Sequence, residues 1–156
     1  MKKTLCFVML CALLLVMCGC AKEETPLPDC QALAEKILAS QAFSPEMTAL
    51  SEKKMIRALD LAQGEYAQAY MMLDASRVTA EAIVVVTAAD SKQTEAVAAK
   101  LAAYRDSVLE QYRTYQVAEV PKLEAAEVMK NGRQCVLVIA GDQQAARSAA
   151  DAAWGR

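Results

Sequence analysis

The pattern of apolar and polar positions after residue 28 changes repeatedly between the helical and the strand period. Apolar residues at helical spacing predict helices over about 30–41, 51–61, 91–115 and 143–154. Asp29, Asp90 and Asp142 each precede one of these segments and are expected to cap its first turn. The longest helix carries one apolar stripe, made by Val97, Leu101, Tyr104, Val108 and Tyr112. We interpret this stripe as a core face, with a coiled-coil seam as the alternative.

Strand patterns fill much of the sequence between these helices. Residues 66–73 and 80–88 predict two strands, and the β-branched run of the second should be central and buried on both faces. A loop over 116–122, broken by Pro121, precedes two further strands at about 123–130 and 133–140. Asn131 and Gly132 tolerate positive φ, so they predict a type I′ turn that places Val128 opposite Cys135. Ser44-Pro45-Glu46 is a helix-start signal that opens at most one turn.

The order of these elements predicts the fold class. It is α-α-β-β-α-β-β-α, without an internal repeat. Consecutive strands with short links are most simply antiparallel neighbours. We therefore expect a single α+β domain over residues 29–156, with a four-stranded, mostly antiparallel sheet and helices packed chiefly on one face.

The first twenty residues have the pattern of an export signal. Lys2 and Lys3 precede the uncharged run Leu5–Met17. At roughly 13 residues this run is shorter than the about 20 that a spanning helix needs, which favours a cleaved secretory signal. Gly19-Cys20 at its end resembles a bacterial lipobox, which implies a signal peptide over 1–19, cleavage between Gly19 and Cys20, and a diacylglyceryl group on Cys20. The alternatives are a plain secretory signal with an incidental cysteine and an uncleaved membrane helix.

A lipid on Cys20 would determine where the protein acts. Each buried methylene contributes about 0.8 kcal/mol, and two acyl chains hold a protein far better than one. Residues 20–28, which include Pro26 and Pro28, are then a lipidated tether. We expect the protein on the outer face of the cell membrane, with the membrane itself as a partner through Cys20.

Charge and composition exclude several classes of function. The chain has 17 basic and 19 acidic residues, and every acidic residue follows Cys20. A mildly acidic domain without a basic cluster argues against nucleic acid as a partner and against adhesion to anionic lipid headgroups. The chain has no histidine, which removes the commonest general base and a common metal ligand. We predict no cofactor and no catalytic, cofactor-binding or metal-binding residues.

The remaining polar and aromatic side chains suggest structural roles. Without a base, the serines near helix starts are interpreted as caps: Ser44, Ser51 and Ser91. The carboxylates that flank strands are expected to be solvated or at a strand edge: Asp74, Glu81, Asp90, Glu124 and Glu127. Five tyrosines could form a carbohydrate-binding patch, although the spacing of two of them indicates the core: Tyr66, Tyr70 and Tyr115, with Tyr104 and Tyr112 predicted to face inward.

Two cysteines remain once the signal and the lipidated residue are set aside. Cys30 and Cys135 lack the C-x-x-C spacing of a redox enzyme. A location outside the cytoplasm permits a disulfide between them. The alternative is two separate buried thiols that pack as small hydrophobic groups.

Several segments together resemble a known family. They are the lipobox, the segments Met47–Leu50 and Thr79–Ile83, the long helix, Val120-Pro121-Lys122-Leu123, and a terminal helix opened by Asp142. In order and spacing they are similar to the small bacterial lipoproteins of domain of unknown function 4358. The resemblance implies an extracytoplasmic lipoprotein and supplies no catalytic or binding residues. Cys30 and Cys135 depart from the usual pattern of that family.

The sequence therefore favours a membrane-anchored, non-enzymatic binding or interaction module of the cell envelope. Its partner would be an unknown envelope protein or a cell-wall component. The alternative is an envelope enzyme, a hydrolase or a thiol-redox protein that lacks histidine. Such an enzyme would need a polar cleft with convergent carboxylates or an exposed pair of thiols. A solute receptor of a transporter is disfavoured, because the chain has room for only one lobe.

Overall fold

A five-stranded antiparallel sheet lies at the centre of the fold. The structure is a computed structural model that describes residues 26–156. The strands are β1 Met47–Ala49, β2 Tyr66–Asp74, β3 Ala82–Ala88, β4 Val128–Asn131 and β5 Gln134–Ile139, in the spatial order β1-β2-β3-β5-β4. The helices are α1 Cys30–Leu38, α2 Glu52–Leu59, α3 Thr94–Tyr115, α4 Val120–Ala125 and α5 Gln143–Ala153, with 3₁₀ turns at Ser91–Gln93 and Val117–Glu119. The predicted α+β class is confirmed.

The central strand β3 determines how the helices are arranged, because all of its residues are buried. Ile83 and Val85 belong to a core under α1 and α5. Val84 and Val86 belong to a second core under α2, α3 and α4. Helices therefore cover both faces of the sheet, and the prediction that they pack chiefly on one face is wrong. A continuous β-branched strand needs an apolar cover on each side.

Aspartate caps begin three of the predicted helices. The carboxylates of Asp29, Asp90 and Asp142 each accept hydrogen bonds from backbone amides two or three residues further on. Such bonds satisfy amides that have no partner inside the helix. The predicted caps are confirmed, and α1 and α5 start as predicted. Asp90 caps the 3₁₀ turn Ser91–Gln93, and α3 itself begins three residues later than predicted, at Thr94.

The fifth strand is the element that the sequence analysis missed. Met47–Ala49 pairs antiparallel with the last residues of β2 and forms the edge of the sheet. The preceding segment around Ser44 is a bend and not a helical turn. The next element after Ser44 is β1, so Ser44 caps no helix. Its backbone amide donates to Oε2 of Glu81 at 3.0 Å. A three-residue strand is too short to show an alternating pattern.

The region around Pro121 also differs from the prediction. Pro121 lies in the first turn of α4, where its fixed φ suits a helix and its missing N–H costs nothing. The next strand therefore begins only at Val128, which pairs with Leu137. Cys135 lies opposite Lys130 instead of Val128, because Asn131 still pairs with Gln134 and the turn falls one residue later than predicted. Gly132 supplies the positive φ of +54°, as at the first central position of a type II′ turn.

Cys30 and Cys135 are both free and buried. Cys30 belongs to the core under α1 and α5, and Cys135 belongs to the core under α3. The sheet therefore lies between the two thiols. The structure has no disulfide between them and agrees with the alternative of two separate buried thiols.

One buried amide links the two ends of the described chain. Nε2 of Gln134 donates to the backbone oxygen of Pro28 at 2.8 Å, and its Oε1 accepts from Nε1 of Trp154 at 2.8 Å. We call this end of the sheet, where β3 ends and β5 begins, the tether pole. The opposite end, where β2 ends and β3 begins, is the cavity pole. The residues of β2 from Gln68 to Asp74 separate the two poles by about 20 Å.

Candidate functional site

A cavity of about 260 Å³ opens at the cavity pole. It lies between the long helix α3 and the connection from β2 to β3. Its walls come from only two stretches of chain, residues 73–81 and 104–115. Three tyrosines, an arginine and two carboxylates contribute to the walls, so the cavity is aromatic and polar.

Asp74 fixes the connection that forms one wall. Its carboxylate is buried and accepts five hydrogen bonds: from the backbone amides of Ser76, Val78 and Thr79 and from the hydroxyls of Ser76 and Thr79. Burial alone would raise the pKa of Asp74, but the hydrogen bonds from Ser76 and Thr79 outweigh burial and hold the pKa well below its usual range. The carboxylate is therefore ionised, and its two oxygens are already occupied by hydrogen bonds from its own loop.

Arg77 lies within this connection and lines the cavity. Its φ of +60° is in the left-handed region, which is uncommon for a residue with a side chain. No ion pair within residues 26–156 includes Arg77, whereas four other arginines each pair with a carboxylate: Arg105, Arg113, Arg147 and Arg156. The cavity wall therefore carries a cation without a carboxylate partner in the described part of the chain.

The opposite wall is formed by tyrosines of α3. Burial raises the pKa of Tyr104 to about 12 and also raises the pKa of Tyr112, against the opposing charge of Arg77. The Tyr112 hydroxyl donates to the backbone oxygen of Thr79 at 2.8 Å and so joins the two walls. The rings of Tyr112 and Tyr115 lie 5.5 Å apart between centroids. The hydroxyls of Tyr104 and Tyr112 therefore stay protonated at neutral pH.

Behind the cavity, one lysine joins two buried carboxylates. Nζ of Lys122 lies 2.7 Å from Oε1 of Glu81 and 3.1 Å from Oε2 of Glu119. The same Oε2 accepts the backbone amide of Ala80 at 3.0 Å. Burial alone would lower the pKa of Lys122, but its bonds to Glu81 and Glu119 outweigh burial and raise it. The cluster holds α4 against the start of β3.

A second cavity of about 380 Å³ continues the first along α3. Tyr104, Val108 and Gln111 line both cavities. The rest of the second cavity is lined by three aliphatic residues, among them Leu59 of α2, and by three polar or charged ones: Asp60, Lys100 and Ser107. Together they form a groove beside α3 from Lys100 to Tyr115, about 22 Å long at the helical rise.

The rim of the groove carries an apolar patch. The exposed large hydrophobic side chains of residues 26–156 are Val78, Tyr115 and Val117, with exposed fractions of 59%, 67% and 66%. Val78 and Tyr115 adjoin the first cavity, and Nε2 of Gln116 donates to the backbone oxygen of Val78 at 3.4 Å. All three apolar side chains therefore lie at the cavity pole. Exposed apolar groups that cluster in this way mark interaction surfaces.

The structure places the other residues singled out by the sequence apart from this site. Gly19 and Cys20 lie outside the described residues, so the predicted cleavage and lipidation sites have no structural description. Ser51 precedes α2 without capping it through its side chain. Tyr66 and Tyr70 lie on β2 and contribute to different cores, so the five tyrosines do not form one patch. Only the three tyrosines of α3 share the cavity.

Two predictions about carboxylates are wrong. Asp74 and Glu81 were expected to be solvated, but each is only 1% exposed. The ends of strands normally lie at the surface. The sequence alone does not show that α4 and the 3₁₀ turn before it cover the sheet where β2 ends and β3 begins. Glu124 and Glu127 are exposed, as expected, and pair with Arg113 and Arg147. Arg77 had no sequence signal, since a lone arginine in a loop is unremarkable.

The fold and the cavity define a small α+β domain with helices on both faces of an antiparallel sheet and a groove at one pole. Within residues 26–156, no cluster of three or more acidic or cysteine side chains is placed to hold a metal ion. None of the helices in this range has the length and apolar composition needed to cross a membrane.

Residues 39–140 match the family described as Domain of unknown function (DUF4358). The match covers more than half of the chain, and the protein belongs to this family. Glu81 and Lys122, which form the buried bridge, come from Thr79–Ile83 and Val120–Leu123, two of the segments on which the resemblance rests. No curated protein and no solved structure matches the chain.

Proposed function

We propose that the protein is a lipoprotein anchored through Cys20 to the outer face of the cell membrane, and that its domain is a non-enzymatic interaction module of the envelope. The observation that supports this proposal is the position of the exposed apolar side chains. Val78, Tyr115 and Val117 lie together at the cavity pole, and Pro28 lies at the tether pole.

This arrangement suits a tethered module. Residues 20–28 lead from the lipid to the tether pole, so the cavity pole lies at the end of the domain away from the anchor. Residues 21–28, eight residues, span about 26 Å when fully extended, which would hold the domain just above the membrane surface. The groove and its apolar rim are then accessible to a partner in the cell envelope.

The chemistry of the cavity favours binding over catalysis. Asp74 and Glu81 line the cavity, as a hydrolase would require. The carboxylate of Asp74 is filled by five hydrogen bonds, and its lowered pKa makes it a weak base and an unavailable acid near neutral pH. Glu81 is engaged by Ser44 and Lys122. The thiol-redox alternative is disfavoured, because the sheet separates the two buried thiols.

Photocrosslinking in intact cells tests this proposal. A photoreactive amino acid is placed at Val117 on the rim or, as a control, at the exposed Ser148 on α5. We expect a specific covalent adduct from position 117 and none from 148, and we expect Val78→Asp to abolish the adduct. The absence of an adduct at 117, or equal adducts at both positions, would reject the proposal. So would turnover of an envelope substrate that Glu81→Gln removes while the domain stays folded.

A further inference from the structure

We propose that the groove beside α3 binds an uncharged oligosaccharide chain of the cell envelope. Its sugar rings would lie along α3, with one ring against Tyr115 and with their hydroxyl groups bonded to polar side chains of the helix. This inference rests on the proposed function, because it names the chemical class of the partner at the same site.

A row of uncharged polar side chains follows the groove along α3. Four residues at spacings of 3, 4 and 4 share one face of the helix: Tyr104, Ser107, Gln111 and Tyr115. Nε2 of Gln111 donates to Oγ of Ser107 at 3.5 Å, which is long for a hydrogen bond. Hydroxyl and amide groups can both donate and accept, as the hydroxyls of a sugar can. The row is about 17 Å long at the helical rise, which accommodates several linked sugar rings.

The charges along the groove oppose one another, which favours an uncharged ligand. Arg77 shares the first cavity with Asp74 and Glu81. Asp60 and Lys100 line the second cavity. A carboxylate in the groove would meet both carboxylates of the first cavity, and an ammonium group would meet a cation in each cavity. A neutral chain of hydroxyl groups avoids both repulsions and can still accept hydrogen bonds from Arg77.

Tyr115 supplies an aromatic surface at one end of the row. Its ring is exposed and lies 5.5 Å from the ring of Tyr112 between centroids. Tyr112 is buried and bonded to the backbone oxygen of Thr79, so this contact limits the orientations of the Tyr115 ring. A pyranose ring carries apolar C–H groups on its faces and hydroxyls around its edge. It therefore fits an aromatic surface that adjoins hydrogen-bonding groups, and this end of the groove offers both.

Titration by NMR of the ¹⁵N-labelled full chain tests this inference, in micelles of a detergent without a sugar headgroup. The probe is the N-acetylglucosamine tetramer at pH 5.5, compared with the glucosamine tetramer, whose amino groups are protonated at that pH. We expect shifts confined to residues 73–81 and 100–117, and tighter binding of the uncharged tetramer. Tyr115→Ala and Gln111→Leu should each weaken its binding about two- to tenfold.

The matched control is Gln144→Leu. Gln144 is exposed, as Gln111 and Tyr115 are, but it lies on α5, which covers the opposite face of the sheet. None of the three substitutions removes a buried side chain, so each variant should keep its fold. We expect Gln144→Leu to leave the affinity for the uncharged tetramer unchanged.

Several results would overturn the inference. Equal or tighter binding of the charged tetramer would contradict the argument from charge. An affinity that Tyr115→Ala and Gln111→Leu leave unchanged would place the sugar outside the groove. Shifts at the groove that depend on protein concentration without sugar would assign it to a second copy of the chain. If neither tetramer binds while the adduct at position 117 still forms, the inference fails and the interaction module stands.

Discussion

At the scale of single residues, Asp74 determines the shape of the candidate site. Its carboxylate replaces water as the acceptor for the amides of Ser76, Val78 and Thr79. These bonds hold the connection in which Arg77 takes its left-handed conformation. A buried, ionised carboxylate in this position therefore serves the site by organising its wall.

Asp74→Asn should test this role. An asparagine has one carbonyl oxygen for five donors, so we expect a loss of about 2–3 kcal/mol of unfolding free energy at pH 7. Because folding lowers the pKa of Asp74, the native chain binds fewer protons there than the unfolded chain. The stabilisation is complete above about pH 4 and is lost as the pH falls further. Urea unfolding between pH 7 and pH 2.5 measures both effects.

The control for Asp74 is Asp90→Asn. Asp90 is exposed and also accepts hydrogen bonds from two backbone amides, but it caps the solvent-exposed 3₁₀ turn before α3. We expect it to cost no more than about 1 kcal/mol. An Asp74→Asn protein as stable as the parent at pH 7, or one whose deficit is the same at pH 2.5, would contradict this account of Asp74.

At the scale of elements, the pattern of apolar and polar residues in the sequence predicted most of the fold. The β-branched run within residues 80–88 identified β3, and the aspartate caps identified the starts of α1 and α5 and of the 3₁₀ turn before α3. Core burial and capping both leave local signals in the sequence. The edge strand β1 left no such signal. Pro121 suits both a loop and the first turn of a helix, so only its contacts distinguish the two. The burial of Asp74 and Glu81 depends on segments about 40 residues further along the chain, which no local pattern contains.

Lys122→Met should loosen the contact between α4 and β3. The substitution leaves Glu81 and Glu119 buried without their shared cation, and we expect a loss of about 3–5 kcal/mol. Adding Glu81→Gln and Glu119→Gln should recover part of that loss, because the uncompensated charges are then gone. Chemical denaturation measures the series.

Lys130→Met provides the comparison for Lys122. Lys130 pairs with Glu95 in solvent, so its removal should leave the urea midpoint almost unchanged. If the two lysine substitutions lowered the unfolding free energy equally, burial of the Lys122 ion pairs would not make them more stabilising than an exposed pair. Failure of the triple variant to recover stability would point to lost packing of the lysine stem instead.

At the scale of the whole molecule, the intact mass of the membrane-extracted protein tests the anchor and the thiols together. We expect a chain that begins at Cys20 and carries acyl groups, with Cys30 and Cys135 both reduced. Burial raises the pKa of Cys30, and it raises the pKa of Cys135 to about 11. Alkylation at pH 8 should therefore be slow until the protein is unfolded, when two thiols react.

The Cys20→Ser variant is the control for this measurement, and we expect it to retain residues 1–19 and to lack acyl groups. Recovery of the parent chain from the cytosol with residues 1–19 attached and unmodified would reject the proposed anchor. A mass two units lower after unfolding without reductant, with no alkylated thiol, would contradict the separation of the two cysteines.

The amide of Gln134 has a practical consequence for labelling. Since Trp154 and Pro28 meet at this side chain, a fluorescent reporter fused after Arg156 would emerge beside the segment that we propose carries the lipid. It would crowd the bilayer and leave the groove unobstructed. A longer spacer at that junction would therefore be needed to preserve the proposed membrane attachment, whereas an insertion near Val117 would obstruct the rim of the groove, where we propose that the partner binds.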